Sequence, residues 1–418
     1  MATRRNLPLD GVKVIDLGQV YQGPYAAWLM AQAGADVIKI EPLAGEPVRQ
    51  RNGVSRGAGA PFAMLNGHKR CMTLDLKSPK GVAVLKRLVR GADVLLENFA
   101  PGVMDRFGAG WSELSALNPR LIYASGTGYG LSGPDRDNLA MDLTVQAVSG
   151  VMSVTGFPDG PPVKAGPALA DFLSGTHLYA GVVTALYERQ FTGVGRLVEV
   201  AMQETLFPTL ASNLTFFYNN GATPPRTGNR HGGLAVAPYN VYAASDGHIA
   251  IIGVREAHWD NLLAAIGRED LRDDPRFATR TARVRHLEAT DGLIAGWMKH
   301  LTRAEASEIL RRHKVPSAPV RDLVEVVNDP HMHARGMLEW IDHPEHGRIV
   351  VPGNPIRFHG ADRLPGAISA RLGADTDAVL VDELQMPEAE IAALRAEGVI
   401  GPIPEPQVAG VGPASSGR

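Results

Sequence analysis

The sequence has little that could cross-link the fold covalently or through a metal. Its 418 residues include a single cysteine, Cys71, so an internal disulfide and a cysteine-rich zinc site are both excluded. None of the thirteen histidines has the spacing of H-E-x-x-H or a comparable ligand motif, and His331 and His333 are expected in a solvated loop. We predict no metal site, and a reducing cytoplasmic location fits this composition best.

A strong charge of one sign and long apolar runs are also missing. The formal net charge is −2, so no global positive field draws the chain onto nucleic acid or an anionic membrane. No stretch approaches the roughly 18 apolar residues of a membrane span, because proline, serine and asparagine interrupt the segment 206–218. Arg4 and Arg5 are followed by Pro8 and not by an apolar signal core. We expect a soluble protein with no nucleic-acid or membrane partner.

What the sequence does contain is typical of a folded α/β protein. Hydrophobic residues make up 44% and charged residues 21%, and the length allows two domains with a core each. Up to Ser125, short apolar strands alternate with helical segments at the spacing of a parallel, doubly wound sheet. The predicted strands are 12–17, 37–41, 71–74, 94–97 and 121–125, and the predicted helices are 24–32, 79–91 and 111–117.

The later part of the chain differs in composition, and this difference predicts a division into domains. A largely apolar helix at 203–217 is followed by a loop rich in proline, glycine and basic residues, which is typical of a hinge. Two strands are expected around Ser245–Gly247, and a last helix at 387–397. The predicted segments are 1–200 (first part of a large Rossmann-like domain), 201–237 (linker), 238–328 (small α+β domain), 329–346 (linker), 347–401 (return to the large domain) and 402–418 (disordered tail).

The first predicted strand ends in a glycine-containing turn that runs from Asp16 to Pro24. Gly18 and Gly23 would let the backbone approach a ligand at the carboxyl end of the strand, as in nucleotide-binding folds. The G-x-G-x-x-G spacing is absent, and glycines at such turns are also ordinary structural devices. Both interpretations, a ligand cradle and a tight turn, stay open on this evidence.

Asp171 is the carboxylate with the most distinctive local setting. It follows the loop 158–167 and precedes a small-residue helix predicted at 175–186, so it lies at a helix start, where first-turn amides favour anions. One interpretation is a helix N-cap, and the other is a nucleophile that forms an acyl intermediate. Ser125 lacks the G-x-S-x-G pattern of a serine hydrolase. The loop 66–70 carries basic side chains that either meet phosphates or belong to a solvated turn.

A series of short motifs spans the chain in a fixed order. They are Leu-Asp-Gly-Val-Lys-Val-Ile-Asp-Leu at 9–17, Gly-Ala-Asp-Val-Ile-Lys-Ile-Glu at 34–41, Lys-Arg at 69–70 before Leu-Asp-Leu at 74–76, Glu-Asn-Phe-x-Pro-Gly at 97–102, Asn-Pro-Arg at 118–120, Ala-Leu-Ala-Asp-Phe-Leu-Ser-Gly at 168–175, Thr-Gly-Val-Gly at 192–195, and Thr-Asp at 376–377 before Val-Leu at 379–380. Together they resemble the class III coenzyme A transferase family, which includes formyl-CoA transferase and carnitine CoA transferase.

The resemblance implies a fold, a reaction and a set of site residues. It implies interlocked-ring homodimers with a Rossmann-like large domain and a smaller α+β domain. CoA thioesters and carboxylic acids are the implied substrates, with no permanently bound cofactor. The family's catalytic aspartate falls on Asp171. The implied CoA-binding residues are Val20, Tyr21, Asn66, Lys69, Asn98, Phe99 and Arg106, and the implied substrate loop contains His231, Gly232 and Gly233.

The implied reaction passes through an aspartyl mixed anhydride and an aspartyl-CoA thioester on Asp171. Amides at the start of a helix at 174–186 are expected to stabilise the developing oxyanion. Arginines near loops, among them Arg136, Arg226 and Arg230, suggest a dicarboxylic acid, although solvation is the simpler explanation. The alternatives are an α-methylacyl-CoA racemase, in which a histidine precedes the position of Asp142 where this chain has Met141, and a non-catalytic CoA-binding protein.

Overall fold

The computed structural model describes residues 6–50 and 60–402 of the chain. Most of the predicted tail, 402–418, therefore lies outside the described residues. Within them, no helix is both long and apolar enough to cross a membrane. The strands are β1 Lys13–Asp16, β2 Asp36–Glu41, β3 Lys69–Thr73, β4 Val94–Glu97, β5 Ile122–Thr127, β6 Leu197–Ala201, β7 Tyr239–Ala244, β8 Gly247–Ile252, β9 Ser317–Pro319, β10 Leu338–His343 and β11 Gly347–Pro352.

Helices connect and cover these strands. They are α1 Gln22–Gln32, α2 Ala60–Asn66, α3 Pro79–Val89, α4 Val103–Arg106, α5 Trp111–Leu117, α6 Asp142–Val148, α7 Val151–Val154, α8 Leu169–Thr192, α9 Met202–Leu206, α10 Ala211–Asn220, α11 Glu256–Ile266, α12 Arg280–Arg285, α13 Leu287–Met298, α14 Arg303–Arg312, α15 Leu323–Val327, α16 Pro330–Ala334, α17 Thr376–Leu384 and α18 Glu388–Ala396. Short 3₁₀ turns span Pro47–Gln50, Phe207–Leu210 and Glu269–Leu271.

Contacts divide the chain into two units. Of the described residues, the first unit contains those up to Val145, Ala168–Thr205 and those from Asp329 onward, and the second contains Gln146–Pro167 and Leu206–Asn328. Residues 146–167, which the sequence interpretation assigned to the large domain, group with the second unit. Hydrogen bonds explain this, because the Arg226 guanidinium donates to the carbonyls of Phe157 and Pro158, and Gly228 N donates to Gly156 O.

The first unit is built on a six-stranded sheet in the order β3-β2-β1-β4-β5-β6, with all neighbouring pairs parallel. This confirms the predicted parallel α/β sheet. Buried side chains alternate between its two faces, so that Ile15 packs in the core with α3, α17 and α18, whereas Val14 packs in the core with α1 and α8. Helices on both faces explain why the strands read as continuous apolar runs.

The second unit has a three-stranded antiparallel sheet in the order β7-β8-β9. The hairpin of β7 and β8 confirms the two strands predicted around Ser245–Gly247. Trp259, Leu262 and Leu263 of α11 belong to its core, together with Ile294 and Met298 of α13. The unit is therefore an α+β structure with a core of its own.

Three segments differ in detail from the sequence prediction. The helix predicted at 203–217 is interrupted by a 3₁₀ turn, because Pro208 cannot donate the backbone hydrogen bond that a continuous helix needs. His331 and His333 lie in α16, not in a loop, and the side chain of Asp329 caps this helix by accepting from His331 N at 2.9 Å. The segment 329–346 contains α16 and β10, and β10 pairs with β11.

Candidate active site

A cavity of about 420 Å³ in the first unit contains the predicted nucleophile. Its wall comes from the loops after β1, β4 and β5 and from the start of α8, and it includes Asp171. The sheet order reverses between β1 and β4, and ligands of open parallel sheets bind at such a switch point, outside the carboxyl ends of the strands. The cavity therefore lies where this type of sheet binds its ligands.

The loop between β1 and α1 is tied to the loop after β4 across this switch point. Asn98 Oδ1 accepts from Gln19 N at 2.7 Å, and Asn98 Nδ2 donates to Gln19 O at 2.9 Å. Val20, which lines the cavity, has a φ of 65°, a conformation that β-branched residues rarely adopt. Such conformations concentrate at ligand sites, where the surroundings over-determine them. Val20 and Asn98 thus line the cavity, and the Asn98 amide is engaged by the protein itself, so their contact with CoA stays a prediction.

The two glycines of this turn approach each other closely. A Cβ atom on Gly23 would lie 2.9 Å from the Gly18 Cα, and one on Gly18 would lie 2.8 Å from Asp16 Oδ1. A side chain at either position would therefore collide with the turn. The turn is a tight structural element, and Gln19 and Val20 within it line the cavity, so the interpretation as a ligand cradle stays a prediction.

Beneath this loop lies a network of fully buried charges. Lys69 Nζ donates to Asp16 Oδ2 at 2.9 Å, to Pro24 O at 2.9 Å and to Asn66 Oδ1 at 2.8 Å. Lys39 Nζ donates to Gly18 O at 2.7 Å. Burial alone would raise the pKa of Asp16, but Lys69 and Lys39 together hold the pKa of that carboxyl below its usual value. The loop is thus supported from below by paired charges.

A second set of buried charges continues this network. Arg49 donates to both oxygens of Glu41, at 2.7 and 2.8 Å. Glu46 Oε2 accepts from Val20 N at 2.9 Å, and Glu46 Oε1 lies 3.6 Å from Lys39 Nζ. The backbone of Val20 is therefore held by a side chain and not by the sheet.

This network changes the interpretation of two predicted CoA contacts. Lys69 and Asn66 are buried below the loop, and neither lines the cavity. Burial lowers the pKa of Lys69, with a contribution from the neighbouring Lys39, and its ammonium already has three hydrogen-bond partners. The geometry supports a structural role for both residues in place of the predicted contact with a phosphate.

Asp171 is the third residue of α8, and Ala168 is the N-cap. The amides of Ala170 and Asp171 donate to Asp142 Oδ1 at 2.8 and 3.4 Å. Asp142 therefore performs the capping that the sequence interpretation assigned to Asp171. The positive end of a long helix stabilises a carboxylate in its first turn, and Asp171 is half-buried at the cavity wall.

The predicted oxyanion donors are not supported by this arrangement. They were expected at the start of a helix at 174–186, but α8 begins at Leu169, so the amides near Ser174 lie inside the helix. Interior amides donate to carbonyls of the preceding turn. Two amides of the actual first turn are engaged by Asp142.

Aromatic residues connect the β1–α1 loop with α8. The rings of Tyr21 and Phe172 are stacked with centroids 5.8 Å apart, and Tyr25 contacts Phe172 at 4.9 Å. Phe99, another predicted CoA contact, lines the Asp171 cavity and also a second cavity of about 210 Å³ with Leu74 and Phe107. Phe99 thus lines the Asp171 cavity, and Tyr21 lies against Phe172, the residue after Asp171; a contact of either with CoA stays a prediction.

The arginines near the site differ in what they contact. Arg106 ends the short helix α4 and is exposed. Arg136 lines the Asp171 cavity. Arg226 donates to backbone carbonyls, and Arg230 pairs with Glu288 and Asp291, all within the second unit. Of the three arginines considered for a dicarboxylic acid, Arg136 is the one at the cavity.

The predicted substrate loop belongs to the second unit. His231 Nδ1 accepts from Gly233 N at 3.1 Å, and the His231 ring contacts Tyr239 at 5.4 Å. A Cβ atom on Gly232 would lie 2.8 Å from the Asn213 amide, so the loop packs tightly on α10. Its role at the substrate remains a prediction.

Two buried polar residues near the cavity were missed by the sequence interpretation. Gln22 lines the cavity with Asp171 and is 2% exposed. Glu97, at the end of β4, lines an adjacent cavity of about 210 Å³, and burial raises its pKa to about 7 even though Phe99 N donates to it at 2.8 Å. Glu97 belongs to the motif at 97–102, but consecutive residues do not show that its side chain is buried.

Comparisons with known proteins identify the family of this chain. Residues 9–376 match the model of CoA-transferase family III. The chain belongs to this family. Formyl-CoA:oxalate CoA-transferase of Streptomyces avermitilis is 36% identical over 94% of this chain and 99% of that protein. Succinyl-CoA–D-citramalate CoA-transferase of Chloroflexus aurantiacus is 35% identical over 94% of this chain and 98% of that protein. A CAIB/BAIF family protein from Brucella suis has a similar structure, with a TM-score of 0.80 at 33% identity over 91% of this chain and all of that one.

Membership of family III confirms the enzyme class predicted from the sequence, a CoA-transferase that uses CoA thioesters as substrates. The racemase alternative is not favoured. Met141 stands where a racemase would have its histidine, and it lines the cavity. Its thioether side chain cannot act as a general acid or base. Asp142, the other residue of that pair, caps α8.

Proposed function

We propose that this CoA-transferase uses the Asp171 carboxylate as a covalent carrier. Asp171 attacks the carbonyl carbon of the donor thioester, and the C–S bond breaks with its electron pair on sulfur, giving a mixed anhydride and CoA thiolate. The thiolate then attacks the Asp171 carbonyl carbon, which releases the donor acid and leaves an aspartyl-CoA thioester. The acceptor acid repeats these steps in reverse, so the energy of the thioester is conserved.

The composition of the cavity wall is the observation that carries this proposal. Its carboxylates are Asp142 and Asp171, and it contains no cysteine, serine, histidine or lysine among the residues that the structure describes. Asp142 accepts hydrogen bonds from two helix amides, which makes it a poorer nucleophile. Asp171 lies at the cavity wall in the first turn of α8, and we assign the acyl intermediate to this carboxylate.

Heavy oxygen in the acceptor acid tests the mechanism directly. When CoA leaves the aspartyl thioester and returns to the acceptor acyl group, one oxygen of the acceptor stays on Asp171. Turnover of heavy-oxygen-labelled succinate with succinyl-CoA should therefore label the Asp171 peptide, as detected by mass spectrometry. Exchange of succinate into succinyl-CoA with no label in that peptide would exclude the aspartyl carrier.

We propose that CoA passes along Phe99 between the two cavities that this residue borders. Val20 lines the Asp171 cavity, Tyr21 stacks on Phe172 next to Asp171, and Leu74 and Phe107 line the other cavity. An apolar cavity suits a base, and the exposed Arg106 is available to a phosphate. Lys69 and Asn66 would support this site from below.

We propose a dicarboxylic acid as donor or acceptor. Relatives with 35–36% identity are named for oxalate and citramalate, and both are dicarboxylic acids. Arg136 at the cavity wall can pair with the second carboxylate. Replacing Arg136 with Met should lower kcat/KM for succinyl-CoA by roughly fivefold more than for acetyl-CoA, because an exposed ion pair contributes about 1 kcal/mol. Equal losses for the two substrates would exclude this role.

We also propose that the enzyme is a homodimer of interlocked subunits, connected through the segments 201–237 and 329–346. Exposed aromatic residues on α8 support an interface, since Tyr187 and Phe191 are about 70% exposed and contact each other at 5.0 Å. Light scattering should give twice 44.6 kDa. Tagged and untagged dimers should exchange as slowly as the protein unfolds, and rapid exchange would contradict the interlocking.

A further inference from the structure

The proposed reaction needs a hydrogen-bond donor at the acyl oxygen. When Asp171 attacks a thioester, the carbonyl's π electron pair moves onto oxygen, and a fixed donor at that atom accelerates the step. The amides of Ala170 and Asp171 already donate to Asp142. The acyl oxygen therefore needs another donor at the cavity wall, one that has no partner among the described residues.

Gln22 is such a donor. Its side chain is 2% exposed, and Nε2 is buried with no hydrogen-bond partner within residues 6–50 and 60–402. The residue lines the cavity that contains Asp171. Buried polar atoms in folded proteins are almost always paired, and an unpaired one in a binding cavity indicates a partner that arrives with the ligand.

Two glycines hold Gln22 in this place. A Cβ atom on Gly126, in β5, would lie 2.7 Å from the Gln22 Cδ and Oε1 atoms. A Cβ atom on Gly175 would lie 2.7 Å from the Gln22 carbonyl oxygen, and Gly175 is one helical turn after Asp171 on the same face of α8. Gln22 is therefore packed against the helix face that carries Asp171.

We infer that the Gln22 carboxamide binds the acyl oxygen of the substrate while Asp171 attacks the adjacent carbon. The N–H group donates to the oxygen as the π pair moves onto it, and the pair returns to re-form the carbonyl when the C–S bond breaks and sulfur leaves as thiolate. This inference rests on the proposed function of Asp171.

The neutral amide should act on all acyl groups alike. It carries no charge, so it cannot select a second carboxylate as Arg136 is proposed to do. Gln22 is therefore expected to affect succinyl-CoA and acetyl-CoA equally. It should not affect the binding of free CoA, which has no acyl oxygen.

The test compares Gln22→Leu and Gln22→Glu with the wild-type full chain. The assay is exchange of labelled succinate into succinyl-CoA and of labelled acetate into acetyl-CoA, which needs no knowledge of the natural acceptor. We expect both variants to lower kcat by about 10²-fold or more with both pairs. The affinity for free CoA should change less than twofold, and the unliganded Gln22→Leu protein should unfold at the wild-type temperature or above it, because the substitution removes an unpaired buried donor.

Gln32→Leu is the matched control. Gln32 lies on the same helix, is 5% exposed and also has an unpaired side-chain atom, Oε1, among the described residues, but it lines a different cavity. This variant should keep its exchange rate. A similar loss in Gln32→Leu would assign the effect to α1 as a whole and overturn the inference.

Other outcomes are equally decisive. Wild-type kcat in Gln22→Leu overturns the inference and leaves the role of Asp171 intact. Loss of the folded state in both Gln22 variants also overturns it, since it would show a structural role. If the wild-type enzyme exchanges neither acid and takes no heavy oxygen into Asp171, the proposed function itself fails, and the inference falls with it.

Discussion

The ends of β1 and β4 lie side by side in the sheet, and each holds a buried carboxylate. At the end of β1, Asp16 pairs with Lys69 at 2.9 Å and lies 4.0 Å from Lys39. At the end of β4, Glu97 forms no ion pair within the part of the chain that the structure describes. The pKa of Asp16 is held below its usual value by the lysines, against the effect of burial, whereas burial raises the pKa of Glu97 to about 7.

This difference shows that burial alone does not define a functional group. The charges at the end of β1 are satisfied by one another and hold the loop that forms the floor of the site. Among the described residues no cation pairs with Glu97 to oppose its desolvation, and burial raises its pKa to about 7. Asp171 is a third case, a carboxylate at the start of a helix and at the cavity wall, where a substrate can reach it.

The largest expected effect concerns Asp171, the carboxylate that faces the cavity. Replacing Asp171 with Asn should lower the transfer rate by about 10⁴-fold or more, because one carboxylate carries both covalent intermediates. The fold should persist, since Asn keeps the shape and Asp142 still caps α8. Initial rates with succinyl-CoA and a melting curve would check this. Turnover above a hundredth of wild type would contradict the assignment.

The second prediction concerns the network of buried charges around Asp16 at the end of β1. Lys69→Met leaves Asp16 without its closest cation and should lower the free energy of unfolding by about 3–5 kcal/mol, as measured by urea denaturation. A second change, Asp16→Asn, should recover part of this loss because it removes the uncompensated charge. If Lys69 instead bound a phosphate of CoA, the single variant would keep its stability and raise KM for acyl-CoA.

The third prediction concerns the titration of Glu97 at the end of β4. The folded-state pKa of Glu97, about 7, lies above its ordinary value of 4.5, so the folded state binds the proton more tightly. Protonated Glu97 therefore contributes on the order of 3 kcal/mol to the free energy of unfolding. This contribution is fully present below about pH 4.5 and is lost as the pH rises to about 7.

Urea denaturation of wild type and Glu97→Gln between pH 5 and pH 8 measures this contribution. The stability of wild type should fall relative to Glu97→Gln as the pH rises, because Gln does not ionise. Parallel curves for the two proteins across this range would show that Glu97 titrates normally and would remove the contrast with Asp16.

The smallest effect is expected at the exposed rim of the site. Arg106→Ala should raise KM for acyl-CoA by roughly tenfold with kcat unchanged, because a phosphate contact is similar in the ground and transition states. Added salt should weaken binding in the same direction. Arg106 and Lys69 were both predicted to bind CoA. We expect the Arg106 variant to lose affinity for acyl-CoA and the Lys69 variant to lose stability. A fall in kcat at constant KM would move Arg106 to the reacting carbonyl.

Local patterns were enough to predict much of this protein. Strands such as Val94–Glu97 and helices such as Trp111–Leu117 are found where the apolar spacing placed them, because side-chain periodicity is a property of consecutive residues. A helix start near Asp171 was also predictable, although α8 begins at Leu169, earlier than expected, and so was the parallel sheet whose switch point borders the cavity. The family followed from motifs in a fixed order, which needs no knowledge of contacts.

What only the tertiary structure decided is which distant residues become partners. Lys69 is a basic residue in the sequence, and its burial against Asp16 follows from β2 lying beside β1 and β3 beside β2. The capping of α8 by Asp142 and the unpaired amide of Gln22 arise in the same way, from segments that meet only when the sheet and its helices assemble. Whether a polar side chain binds a ligand or supports a loop depends on its partners and its burial, and those are set by packing across the fold.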